Sequence, residues 1–155
     1  ESLAEQQIPF QIVPGITAAA GCAAYAGIPL THRDHAQMCV FVTGHQKDGE
    51  LDLPWDSLIA PRQTIAVYMG LHSAGLLSKA LIEHGMPPDT PAAIIEQGTT
   101  QAQRVAVTSV GALDSTAKSE EMKSPSMIVI GDVVSLRQRL AWFDPALQTT
   151  SEMID

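Results

Sequence analysis

The stretch VPGITAAAGCAAYAGIPLTHR, from Val13 to Arg33, decides how the rest of the chain is read. Pro14-Gly15 stops a short β-type run, Phe10 to Val13, and Thr17 then stands where a helix cap is expected. From Ala18 to Ala26 the side chains are nearly all small, with Gly21 among them, which predicts a helix that another backbone can approach closely. Gly27 followed by Pro29 is a C-terminal stop signal.

Working outward, Glu1 to Gln7 reads as the end of a helix, and a second β-type run, Met38 to Thr43, ends at Gly44-His45. Gln46 to Glu50 is polar and reads as a surface loop, and Asp56 to Ala60 as one helical turn. Thr64 to Met69 predicts a buried strand. Ser73 to His84 predicts a helix, because Leu76, Leu77, Ala80 and Leu81 keep helical spacing until Gly85. Strands follow at Ala92 to Glu96 and Arg104 to Thr108, a helix at Gly111 to Met122, a buried strand at Met127 to Ile130 and a last helix at Val134 to Trp142. Asp144-Pro145 ends ordered structure, and Ala146 to Asp155 reads as a loose polar tail. Strands alternating with helices mean an α/β protein, with ligand contacts expected where the strands end. No cap or turn precedes Leu3, so the chain is expected to begin inside an element of something longer.

Composition narrows the function. The chain has 155 residues, 45% of them hydrophobic and 17% charged, which is a folded domain with a core rather than a disordered chain. Its apolar runs are far shorter than the roughly 18 residues a membrane span needs, and the N-terminal residues do not resemble a signal peptide. The protein is therefore expected in the cytoplasm. Lys and Arg total 9 against 17 Asp and Glu, a net charge of -8 that repels nucleic acid and anionic membranes alike. Cys22 and Cys39 lie in apolar stretches without CxxC spacing and read as reduced core thiols.

Several familiar fingerprints are missing. Gly15-Ile-Thr-Ala-Ala-Ala-Gly21 is not GxGxxG, and the chain has neither GxxxxGK[ST] nor GxSxG, which removes the dinucleotide, P-loop and α/β-hydrolase readings. His32 and His35 form an HxxH without the further ligands a metal site needs, and His45 after a strand fits either a base or, as a lone histidine more often is, hydrogen-bonded scaffolding. Arg33 can grip a carboxylate with two parallel hydrogen bonds, or pair with Asp34 at the surface. Met69 ends an apolar strand, as core gap-filling would, and Gly98 fits either a plain turn or the close approach of a ligand.

Taken in order, VPGITAAAGCAAYAGIPLTHR, VTGH at Val42 to His45, VYMGL at Val67 to Leu71, EQGT at Glu96 to Thr99 and SPSMIVIGDVV at Ser124 to Val134 resemble the uroporphyrinogen-III C-methyltransferases. That family of tetrapyrrole methylases includes the methylase module of siroheme synthase. The likeness runs nearly to Phe143. It departs at the start, since the family's Gly-Pro-Gly-Asp opening, its catalytic acid and its Gly-Gly-Asp-Pro segment lie upstream of Glu1. The isolated chain is accordingly expected to have little methyltransferase activity and carries no catalytic assignment.

What the resemblance implies is an α/β fold of the tetrapyrrole methylase type. Residues 1–34 would end the first lobe, 35–145 would form the second, and 146–155 a flexible tail. S-adenosyl-L-methionine would lie between the lobes, leaving S-adenosyl-L-homocysteine as product. Thr17, Ala18, Met69 and Gly98 would contact that cofactor, and Arg33 a carboxylate of the substrate uroporphyrinogen III, in a homodimer serving siroheme or cobalamin synthesis. Asp132 has no role in this scheme. A pyrrole carbon attacks the sulfonium methyl without a metal, so the protein chiefly aligns donor and acceptor, a service worth up to roughly 7 to 11 kcal/mol. Two alternatives stand beside it: a methylase for a later cobalamin-pathway tetrapyrrole, and a non-catalytic cofactor-binding or dimerisation module.

Overall fold

The central strands are apolar at nearly every position, and such runs are stable only when both faces of a sheet are covered. The computed structural model describes residues 1–45 and 51–145 and shows this arrangement. Five strands form one mixed sheet: β1 (Met38–Thr43), β2 (Gln63–Tyr68), β3 (Pro91–Glu96), β4 (Arg104–Ser109) and β5 (Ser126–Ile130). Their order is β1-β2-β5-β3-β4, with β1 and β2 parallel and every other pair antiparallel. β2, β3 and β5 are buried along almost their whole length, whereas the edge strands β1 and β4 are half-exposed.

Alternation along the strands sorts their side chains into two cores. On one face Val40, Val42, Ile65, Val67, Ala92, Ile94, Ile128 and Ile130 pack with Leu77 and Leu81 of α4 (Ala74–Glu83) and Leu113 of α5 (Leu113–Ser119). On the other, Ala66, Ala93, Ile95, Met127 and Val129 meet Ala19 and Ala26 of α2 (Ala18–Ala26), together with Val133 and Val134. Two short helices, α1 (Ser2–Glu5) and α3 (Trp55–Leu58), complete the part before β2. Among the described residues no helix is long and apolar enough to cross a membrane.

α2 has the predicted bounds. Gly27 ends it in the left-handed conformation at φ +67°, and a Cβ there would lie 2.5 Å from the Leu140 carbonyl oxygen. The last turn is fastened from outside. Trp142 Nε1 donates to the Ala24 carbonyl at 2.9 Å, the Gln103 amide to that of Tyr25 at 3.2 Å, and the Arg137 guanidinium to that of Ala26. Tyr25, Trp142 and Phe143 add an aromatic cluster with centroid separations of 4.9 to 5.7 Å.

Three expectations need correction. Phe10 to Val13 is not a strand: it forms no ladder with any strand among the described residues, and Ile12 and Val13 are about 80% exposed. The helix expected over Val134 to Trp142 is a 3-10 turn, Asp132–Leu136, followed by the single turn α6 (Arg137–Leu140). Docking against Gly27 and the α2 carbonyls bends the chain out at Ala141, overriding the Leu136/Leu140 spacing. Gly111 to Met122 likewise divides into a 3-10 turn, Val110–Ala112, and α5. Gln46 to Glu50 and Ala146 to Asp155 lie outside the described residues.

The fit at Gly27 generates a stability prediction. Gly27→Ala, facing left-handed strain of about 1–2 kcal/mol and a backbone clash, should lower unfolding free energy by at least about 2 kcal/mol. Gly15→Ala, with nothing within 4 Å of its Cβ, should be neutral. Urea unfolding midpoints at unchanged m-value provide the measurement.

Candidate functional site

A cleft of about 890 Å³ opens where β1, β2 and β3 end and β5 begins, with Ala18 and Cys22 of α2 along one wall. Its size lies within the roughly 300–1,000 Å³ typical of small-molecule sites. The strand ends that form it are tied together. The Gly44 N–H donates to the Tyr68 carbonyl at 2.6 Å, and the Ser73 hydroxyl to the carbonyls of Gly44 at 2.6 Å and Gly70 at 3.2 Å. Gly44 is pressed so close that a Cβ would sit 2.6 Å from Gly70 Cα.

Met69 leaves β2 at φ +52°, a conformation costly for a side chain this size, and is 64% exposed while lining the cleft. A methionine that merely filled a core gap would be buried. Across the cleft the loop after β3 presses on α2: a Cβ on Gly98 would meet Cys22 Sγ at 2.4 Å and Cys22 Cα at 3.3 Å. Gln97 and Thr99 flank it at positive φ, and the Thr99 N–H donates to the Gln103 side chain at 2.8 Å. Gln103 also donates to the end of α2, so one side chain bridges loop and helix.

The lining is mostly apolar, with Ile95, Met127 and Pro125 beside Ser124, Ser126, Gln97 and Thr100, and it contains no Asp, Glu, Lys or Arg among the described residues. Alternation explains the missing carboxylate: Ile95 faces the cleft, so Glu96 turns to the other side. There Glu96 accepts from Arg104 Nη1 at 3.3 Å and the Lys123 N–H at 3.0 Å. The titratable groups that do line the cleft are His45, His72, Tyr68 and Cys22. Burial pushes the Cys22 thiol up, partly offset by a backbone hydrogen bond, and also raises Cys39 on β1, which is not in the cleft.

Of the residues expected to bind a cofactor, the structure brings Ala18, Met69 and Gly98 together in the cleft. Thr17 stands at its edge: the hydroxyl expected to cap α2 is hydrogen-bonded to the Tyr68 phenol instead. Arg33 is elsewhere. It is exposed, and its carbonyl accepts a hydrogen bond from the Arg62 guanidinium just before β2, whereas the cleft opens at the other end of that six-residue strand. At about 3.3 Å per residue the two are separated by on the order of 20 Å. Asp34 pairs with His32 at 3.9 Å rather than with Arg33. The His32 and His35 rings lie 4.9 Å apart, and no group of three potential metal ligands occurs among the described residues.

The sequence reading gave Cys22 and His45 no place in a site, as a core thiol and a scaffolding histidine, and did not single out Tyr68, His72 or Gln97. Three of the five, His45, Tyr68 and Gln97, sit within two residues of the end of β1 or β3 or beside Met69, so the strand-end rule applied residue by residue points to them.

A mostly apolar cleft at the strand ends of an α/β sheet, with a small-residue helix as one wall, is the kind of place where α/β proteins hold small organic ligands. Residues 1–114 match the family Tetrapyrrole (Corrin/Porphyrin) Methylases, and the chain belongs to that family. It is 57% identical over 144 residues to siroheme synthase of Azotobacter vinelandii, covering 93% of this chain and 31% of that protein. The chain thus spans about a third of the length of the curated relatives it matches. Among solved structures it is similar to uroporphyrin-III-C-methyltransferase from Thermus thermophilus, at 33% identity and TM-score 0.70, covering 90% of this chain and 58% of the other. A structure of the Thermus thermophilus enzyme complexed with S-adenyl homocysteine matches at 25% identity and TM-score 0.71, covering 85% and 54%.

The Gly98 contact can be tested by a double-mutant cycle. Gly98→Ala should cost about 1–3 kcal/mol through overpacking, and Cys22→Ala in the same chain should recover part of that loss by removing the sulfur. Urea titration of the four proteins measures the coupling.

Proposed function

We propose that this chain forms the cofactor-holding part of an S-adenosyl-L-methionine-dependent methyltransferase that converts uroporphyrinogen III to precorrin-2, as a cytoplasmic homodimer serving siroheme or cobalamin synthesis. Residues 35–145 would form the second lobe of that enzyme and 1–34 the end of the first, with α2 docked on the second lobe's sheet. The observation that carries the reading is the cleft itself. Ala18, Met69 and Gly98, separated by up to 80 positions in the chain, line one cavity whose chemistry suits a nucleoside thioether.

The residues fit that ligand. Gly98 brings the backbone of its loop against α2, leaving a flat wall for an adenosine, while Ile95, Pro125 and Met127 supply apolar surface. Ser124, Ser126, Gln97 and Thr100 offer hydroxyl and amide partners for a ribose and an amino-acid end. When bound, the cofactor supplies an electrophilic methyl on a sulfonium. The chain's part is to orient it and exclude water, since no carboxylate or lysine of the described residues faces the cleft. The substrate's many carboxylates meet no like charge there, although the chain is -8 overall. His45 and His72 at the strand ends are the groups placed to approach them. Arg33 would take a substrate carboxylate at a surface away from this cleft.

Calorimetry with S-adenosylhomocysteine tests the reading directly. The chain should bind it at one class of site, and Met69→Ala should weaken binding about tenfold at unchanged melting temperature. The ligand should protect Cys22 but not Cys39 from iodoacetamide, as read by mass spectrometry. Without ligand, both thiols should keep gaining reactivity at pH values where an exposed cysteine has levelled off, because burial raises each thiol and only the thiolate reacts. Absence of both binding and protection would remove the reading.

Arg33 yields a second test in the longer polypeptide. Arg33→Lys should weaken uroporphyrinogen III binding about tenfold, by losing the planar two-point grip, and leave S-adenosylhomocysteine affinity unchanged. Equal loss for both ligands would signal a folding defect instead.

A further inference from the structure

α2 raises a mechanical question. Its C-terminal turn is held by Trp142, Gln103 and Arg137, whereas among the described residues Val13 and Ile16, just before its N-terminus, are more than 80% exposed. We propose that Tyr68 is a positioning residue, whose phenol latches the first turn of α2 to the end of β2 and so fixes the width of the cleft between Ala18 and Met69. The inference rests on the reading of that cleft as a cofactor site.

Tyr68 is the last residue of β2, and strand alternation points it with Ala66 to the α2 face. Its hydroxyl oxygen accepts the Ala19 N–H at 3.1 Å, from a residue 49 positions away, and is hydrogen-bonded to the Thr17 hydroxyl. The first N–H groups of a helix have no partner within it. Those of Ala20 and Gly21 reach the Thr17 carbonyl at 3.0 and 3.1 Å, and Ala19 is served by Tyr68 in place of the usual side chain at the cap. Phe41 of β1 meets the Tyr68 ring edge-on at 6.1 Å and limits its swing. Met69, the next residue, emerges at φ +52°, so the latch and the direction of the Met69 side chain are set at one strand end.

Two measurements separate the latch from the cofactor reading. Amide hydrogen exchange on Tyr68→Phe should show Ala19 exchanging at least about tenfold faster, while Ile28, bonded to Ala23 at the other end, keeps its rate. Calorimetry with S-adenosylhomocysteine should show Tyr68→Phe and Thr17→Val each weakening binding about fivefold, with the double variant no worse than either and Thr17→Ser restoring affinity. Unchanged Ala19 exchange, or additive losses in the double variant, would overturn the latch. If the unaltered chain does not bind this ligand, the cofactor reading fails, and the exchange rates still decide whether Tyr68 holds the helix.

Discussion

The structure depends on how closely one helix made of almost nothing but backbone can lie on its neighbours. Ala19 and Ala26 meet Ala66 and Ala93 of the sheet, and Cys22 meets Gly98 so tightly that one added methyl has no room. Close approach has a physical cost, because short side chains bury little area and supply few contacts. The helix is therefore held by polar contacts at its ends: donated hydrogen bonds to three consecutive carbonyls at one end, and a phenol at the other. Remove the small residues and the cleft wall moves. Remove the end contacts and the wall loses its position.

The cleft that results is chemically quiet. Its lining carries hydroxyls, an amide and two histidines, but no carboxylate and no lysine or arginine among the described residues. Among the described residues its strongest proton-exchanging groups are His45 and His72. It can hold a reagent whose reactivity is already built in, and hold it still. That division of labour agrees with a methyl donor that needs only a correctly placed acceptor. The strand alternation that buries Glu96 against Arg104 on the opposite face keeps this wall uncharged, and fold and chemistry are decided there by the same two-residue period.

How far this was legible in the sequence differs from element to element. Ala18 to Ala26 was readable to the residue, because a cap position, an alanine run and a stop glycine agree locally. The apolar strands were readable within a residue or so, because burial on both faces leaves an unbroken hydrophobic signature. Local pattern failed where partners far away in sequence decide. Phe10 to Val13 has strand composition yet no strand beside it among the described residues, and Val134 to Trp142 has helical spacing yet bends to reach the end of α2. The same limit applied to the site. Met69 and Gly98 were nameable from motif position, but Tyr68 became visible only when its hydroxyl was seen 49 residues away in sequence, at the Ala19 amide.

The exposed run between Pro9 and Pro14 has a consequence for the chain's behaviour at high concentration. Phe10, Ile12 and Val13 present an exposed apolar stretch outside the sheet, the kind of segment on which other strands add and from which aggregates grow. The prolines bracket it at both ends, and neither can donate a backbone hydrogen bond. A foreign strand could register with only the four residues between them, fewer than the roughly six or seven of a typical cross-β segment. In this chain taken by itself, the two rings thus break an apolar stretch that would otherwise invite edge-to-edge pairing.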